Sequence, residues 1–180
     1  GQRWHWRTSS DTEVLVAAWA LWGSACLSKL VGMFAFVMHD GLSKTLTVVR
    51  DRFGIKPLYQ ARSGTQTIFC SEIPPLFRFI KPQANLSTIR TYLELGKYDH
   101  TEQTFFDGIE SVPPGTLVQL DLVNDEITTK RWYNVFEYIP DLGSYEKPEL
   151  LEELERLICQ SVEAHLIADV PVGLNVSGGV

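Results

Sequence analysis

Long apolar runs are missing from this chain. None approaches the roughly 20 residues that a membrane-crossing helix needs, so no membrane partner is expected. Cysteine is scarce. Cys26, Cys70 and Cys159 lie far apart and are odd in number, which argues against a complete disulfide framework and suits a reducing cytoplasm. Positive charge is in deficit, with 16 Lys and Arg against 22 Asp and Glu. The net charge of -6 points away from nucleic acid and from anionic membranes. His5, His39, His100 and His165 are too scattered for metal-ligand spacing, and no metal site is expected. Internal repeats and low-complexity tracts are also lacking, and the given residues carry no signal peptide, which a fragment could have lost. What is present is ordinary for a globular protein: 44% hydrophobic and 21% charged residues. The 180 residues allow one full domain and part of another.

Ser10-Asp11-Thr12-Glu13 has the capping-box pattern and opens a helix through Val14, Leu15, Ala18 and Leu21 that should end at Gly23. A short second helix is expected over 24–30. Gly32 to Met38 is almost continuously apolar and reads as a strand buried on both faces. Asp40-Gly41 turns it into a second strand through Leu46 and Val48, an antiparallel hairpin. Short strands follow at Leu58-Tyr59 and 68–70, and Pro74-Pro75 limits the next element to a short helix or turn. Asn85 or Ser87 can cap a helix closed by Gly96. After Pro113-Pro114-Gly115, strands at 117–122 and from Ile127 to Trp132 form a second hairpin through Asn124-Asp125. Pro148 suits the first turn of a long helix with Leu151, Leu154, Ile158, Val162 and Leu166 on one stripe.

The chain closes on an apolar strand that runs into Ser177-Gly178-Gly179, where backbone N–H groups can converge on a phosphate. By itself Ser-Gly-Gly is a common loop. The strand before it, and the stop just after it, suggest an interior piece of a longer enzyme.

Six segments taken in order carry a resemblance. They are 10–15, 32–36, Arg50-Asp51-Arg52-Phe53-Gly54-Ile55-Lys56-Pro57-Leu58-Tyr59, Ser71-Glu72-Ile73, Pro113-Pro114-Gly115, and Asp169-Val170-Pro171-Val172-Gly173 through Ser177-Gly178-Gly179. Together they resemble the glutamine-dependent asparagine synthetase family. The resemblance implies an α+β fold. Residues 1–135 would be the C-terminal part of a class II glutaminase, a partial N-terminal-nucleophile αββα sandwich. A linker over 136–147 would lead to residues 148–180, the first helix and strand of an α/β ATP-pyrophosphatase domain.

The family's nucleophile is an N-terminal cysteine, with an Asn-Gly pair for the oxyanion, and both would lie upstream of residue 1. Cys26, Cys70 and Cys159 match no such motif and read as core or partly buried thiols, so the chain alone should be inactive. Asp11 matches the aspartate that holds the α-ammonium of glutamine. On its own, an Asp there simply favours the helix dipole. Val176, Ser177, Gly178 and Gly179 match the start of an ATP pyrophosphate loop, with Mg²⁺ accompanying ATP in the full-length protein. No cofactor is expected on this chain by itself.

Arg50-Asp51-Arg52 reads as an ion-paired loop bracing the hairpin, and no catalytic role falls to Glu72. Trp4, Trp6, Trp19 and Trp22 read as core and interdomain packing. Small-molecule partners would be glutamine, ATP and aspartate. Other carboxylates such as surface-polysaccharide sugars are an alternative acceptor, and a non-catalytic scaffold is an alternative of another class. Unpaired sheet edges predict self-association as a homo-oligomer.

Overall fold

A computed structural model describes residues 4–139 and 147–173. The chain divides into two compact units, residues 1–134 and 135–180.

The first unit opens with α1 (Asp11–Trp22), followed by a 3₁₀ turn (Gly23–Lys29). A four-stranded antiparallel sheet has the order β1 (Ala35–Asp40), β2 (Thr45–Arg50), β6 (Thr116–Asp121), β7 (Glu126–Arg131). A three-stranded sheet has β3 (Tyr59–Ser63) between β4 (Gln66–Cys70) and β5 (Ile109–Ser111). Between β4 and β5 in sequence lie a 3₁₀ turn (Pro74–Arg78) and α2 (Leu86–Leu95).

Strand alternation sorts the core into layers. Val49 and Leu117 face Ala18, Cys26 and Leu27 from the helical segment. Their neighbours Val48 and Val118 point the other way, onto Leu58 and Val112, with Phe69 of β4 packed beside them. Ala61 and Ile109 then meet Leu76, with Phe77 and Ile80 alongside. The order helix, sheet, sheet, helical turn is the expected mixed α+β sandwich.

Both hairpins, the Pro74-Pro75 turn and α2 follow the sequence reading. Asn85 Oδ1 accepts from the Thr88 N–H at 3.2 Å, and Gly96 closes the helix in the left-handed region. The three-residue strand β5 carries too short a pattern to be read from sequence.

Two expectations need correction. First, the 32–38 run is not buried on both faces: only 35–38 enters β1, which lies at a sheet edge with Val37 49% exposed. One face meets the core through Phe36, and no described strand covers the outer edge. The helix α1 ends at Gly23 as expected and is apolar nearly all round. Ala17 and Ala18 are its buried residues, small enough to let the helix approach the sheet, while Val14 and Leu21 are exposed. Second, the expectation of core packing holds for Trp19 alone among the four tryptophans; Trp4, Trp6 and Trp22 are exposed.

In the second unit, α3 (Lys147–His165) begins beside Pro148 as expected. Arg156 donates two 2.7 Å hydrogen bonds to Glu153 one turn earlier. The stripe through Leu151, Leu154, Ile158 and Val162 is exposed. Residues 171–173 are irregular, and the remainder of the expected closing strand lies outside the described residues.

Candidate functional site

Ser10 caps α1 from extended backbone, its Oγ accepting the Thr12 N–H at 3.2 Å. Asp11 is the first helical residue, and its exposed carboxylate sits in the positive first turn. The capping box is only half formed. Glu13 does not reach back to the Ser10 N–H but turns further, onto the segment ahead of the helix. Its Oε2 accepts the Thr8 N–H and hydroxyl, both at 2.7 Å, and its Oε1 accepts the Arg7 N–H at 3.0 Å. The Trp4 indole N–H reaches Oε1 at 3.4 Å. The Ser10 N–H, which a full box would give to Glu13, goes instead to Thr8 Oγ1 at 3.2 Å. These donors, led by the Thr8 hydroxyl and the Arg7 N–H, hold the Glu13 carboxyl below the usual carboxylate range.

The second organised region surrounds Asp51. Its side chain is buried and takes no arginine. Oδ1 accepts the Phe53 and Ile55 N–H groups at 3.1 and 3.0 Å, and Oδ2 accepts the Lys56 N–H at 2.9 Å. Its own carbonyl accepts the Gly115 N–H at 2.7 Å, tying the loop to the turn before β6. Arg50 donates to Lys56 O, Gly54 O, Ser111 Oγ and Val112 O. Burial pushes the Arg50 guanidinium down from its ordinary value. Arg52 donates to the Leu30 and Ser28 carbonyls and lies 5.3 Å from the Trp132 ring centroid. The loop therefore braces the hairpin, as expected, but through backbone groups and not through the expected ion pairs. The reason is geometric: with its lone pairs spent on N–H groups of its own turn, Asp51 leaves the arginines to seek carbonyls.

A cleft of about 940 Å³ opens beside this loop, lined by Arg50, Tyr59, Tyr98, Phe105, Glu110 and Ser111 among others. Asp11 does not line it. Arg50 is its half-buried cation, and the four hydrogen bonds above engage four of the five guanidinium N–H groups, leaving little of it for an anion.

The three thiols differ. Cys26 is buried in the first core layer, and desolvation pushes its pKa up, which disfavours the nucleophilic thiolate. Cys70 is half-buried, whereas Cys159 is exposed on α3, against the expectation of a packed thiol. Val176, Ser177, Gly178 and Gly179 lie outside the described residues. Sequence reasoning missed two organisers, Asp51 and Glu13. For Asp51 a signal exists, since an Asp followed within three residues by Gly at a turn often accepts N–H groups ahead of it.

A family model described as a glutamine amidotransferase domain matches residues 1–133. The chain belongs to that family. Asparagine synthetase [glutamine-hydrolyzing] 2 of Bacillus subtilis (strain 168) is 31% identical to this glutamine amidotransferase chain, over 97% of the chain and 24% of the relative. Amidase chyE of Penicillium rubens is 30% identical over 96% of the chain and 25% of its own length. A putative asparagine synthetase 2 of Methanocaldococcus jannaschii is 29% identical over 96% of the chain and 34% of its own length. The chain thus spans about a quarter to a third of these curated relatives. Among solved structures, the glutamine phosphoribosylpyrophosphate amidotransferase of B. subtilis aligns with 72% of the chain and 24% of its own length, at 20% identity and a TM-score of 0.48.

Proposed function

We propose that this chain is part of a glutamine-hydrolysing asparagine synthetase, in which ammonia from glutamine amidates aspartate at the expense of ATP. The observation that carries the reading is the reach of the similarity. The amidotransferase match stops at residue 133, yet similarity to asparagine synthetases extends over 96–97% of the chain, into the segment that holds α3. In this reading the exposed Asp11 carboxylate holds the glutamine α-ammonium, a compact cation suited to a single fixed carboxylate. Val176, Ser177, Gly178 and Gly179 would border ATP, with Mg²⁺ neutralising its phosphates. No group of three or more His, Cys, Asp or Glu among the described residues could hold that ion.

The glutaminase nucleophile is assigned upstream of residue 1. The buried, protonated Cys26 is a poor substitute, and the purified chain should release no glutamate from glutamine. Steady release would overturn that assignment.

A second reading, in which the acceptor is another carboxylate, is supported by the similarity to Amidase chyE, which reaches as far along the chain and is not named an asparagine synthetase. Glutamine and Mg-ATP, given to the full-length protein with and without aspartate, separate the two. Aspartate-dependent asparagine and pyrophosphate support the synthetase. Glutamate release without aspartate-dependent pyrophosphate points to the other acceptor, and silence in both assays to a scaffold.

A further inference from the structure

We infer that Glu13 is a positioning residue for Asp11, acting on glutamine recognition without touching the substrate. The inference rests on the reading of Asp11 as the ammonium ligand and adds a residue to it. Glu13 stands two positions after Asp11 on α1. Its carboxylate gathers the Trp4 indole, the Arg7 and Thr8 N–H groups and the Thr8 hydroxyl. The Thr8 hydroxyl has two partners: it donates to Glu13 and accepts the Ser10 N–H. Ser10 in turn caps the helix on the Thr12 N–H. A closed ring of hydrogen bonds therefore runs from Glu13 through Thr8 and Ser10 back to the first turn, with Asp11 inside it.

An N3 carboxylate serving only as a cap would have taken the Ser10 N–H. Here it serves a segment five to nine residues back, so the chain on either side of Asp11 is set by one side chain. An exposed carboxylate gives selective ammonium recognition only when its backbone is held, because otherwise the ordering cost falls on ligand binding.

The test uses equilibrium binding to the full-length protein, which needs no turnover. L-Glutamate keeps the α-ammonium, and glutarate is the same diacid without it. The intact protein should prefer L-glutamate about 10-fold or more, the size of one charge-assisted contact. Glu13→Ala should bring the two ligands near parity by weakening L-glutamate alone. Glu13→Gln, which keeps an acceptor oxygen, should retain part of the preference. A defect that merely loosened the fold would weaken both ligands together. Thr8→Val cuts the ring at its bridging hydroxyl and gives the same readout should Glu13→Ala fail to fold. If the Glu13 and Thr8 variants keep the full preference while Asp11→Asn loses it, Glu13 has no positioning role and the Asp11 reading stands. If Asp11→Asn keeps the preference, or the intact protein has none, the Asp11 reading fails and the role of Glu13 with it.

Discussion

Asp51 shows how much one side chain can hold. Replacing it with Ala leaves the Phe53, Ile55 and Lys56 N–H groups without their acceptor. The lost bonds are three charge-assisted ones to a buried carboxylate, so at about 1 kcal/mol or more each Asp51→Ala should cost about 3 kcal/mol, read as a lower urea midpoint. A shift below about 1 kcal/mol would mean that water replaces the carboxylate without loss. Glu13 carries a pH signature instead. Its pKa in the folded chain is lowered, so its hold on residues 4–8 is complete above the ordinary carboxylate range and disappears as pH falls through the lowered value. Trp4 reports this directly: its fluorescence should be flat from neutral pH through the ordinary carboxylate range and change only below it, and Glu13→Gln should abolish the acid step. Neither role was legible in full from the sequence. Asp51 read as an ion-pair partner and Glu13 as a box-forming cap, because residue spacing shows that a carboxylate has donors nearby but not which donors its rotamer meets.

Turns and hairpins were the most legible elements, since their signals are local. Asp40-Gly41, Asn124-Asp125, Asn85 and Gly96 each act through groups within a few residues, and each lies where its chemistry places it. Burial was less legible. The apolar run at 32–38 shows what the strand could cover, whereas its place at a sheet edge is set by non-local pairing of β2 with β6. Gly115 combines local and non-local demands. Its φ is +61°, and a Cβ there would lie 2.7 Å from the Tyr133 carbonyl oxygen. Gly64 has nearly the same φ, +60°, with open space around it. Gly64→Ala should therefore cost about 1 kcal/mol, the backbone penalty alone. Gly115→Ala should cost at least about 2 kcal/mol more, because the clash is with main chain and the Gly115 N–H and carbonyl both bond across the turn. Equal melting-temperature losses in the two variants would show that the segment at Tyr133 yields freely.

At the scale of the molecule, the two edges of the four-stranded sheet differ in kind. β7 carries Glu126, Lys130 and Arg131, with all six residues exposed, and charge of both signs blunts that edge. The outer edge of β1 carries Phe36, Val37 and Met38, without a charge until His39 and Asp40. Nearby, α1 exposes Val14, Leu21 and Trp22. An edge with free N–H and carbonyl groups beside apolar side chains is a template for another strand. This chain should therefore associate with itself, its sedimentation coefficient rising with concentration. Val37→Lys places a charge at the middle of β1 on a half-exposed site, so it should shift the chain toward monomer without unfolding it. Ile127→Lys on β7 is the control: it adds the same charge to an edge already protected and should leave association unchanged. A monomer at every concentration would show that β1 is shielded in solution. If both lysine variants reduce association equally, net charge and not the β1 edge sets the behaviour, because only a local contact distinguishes one end of the sheet from the other.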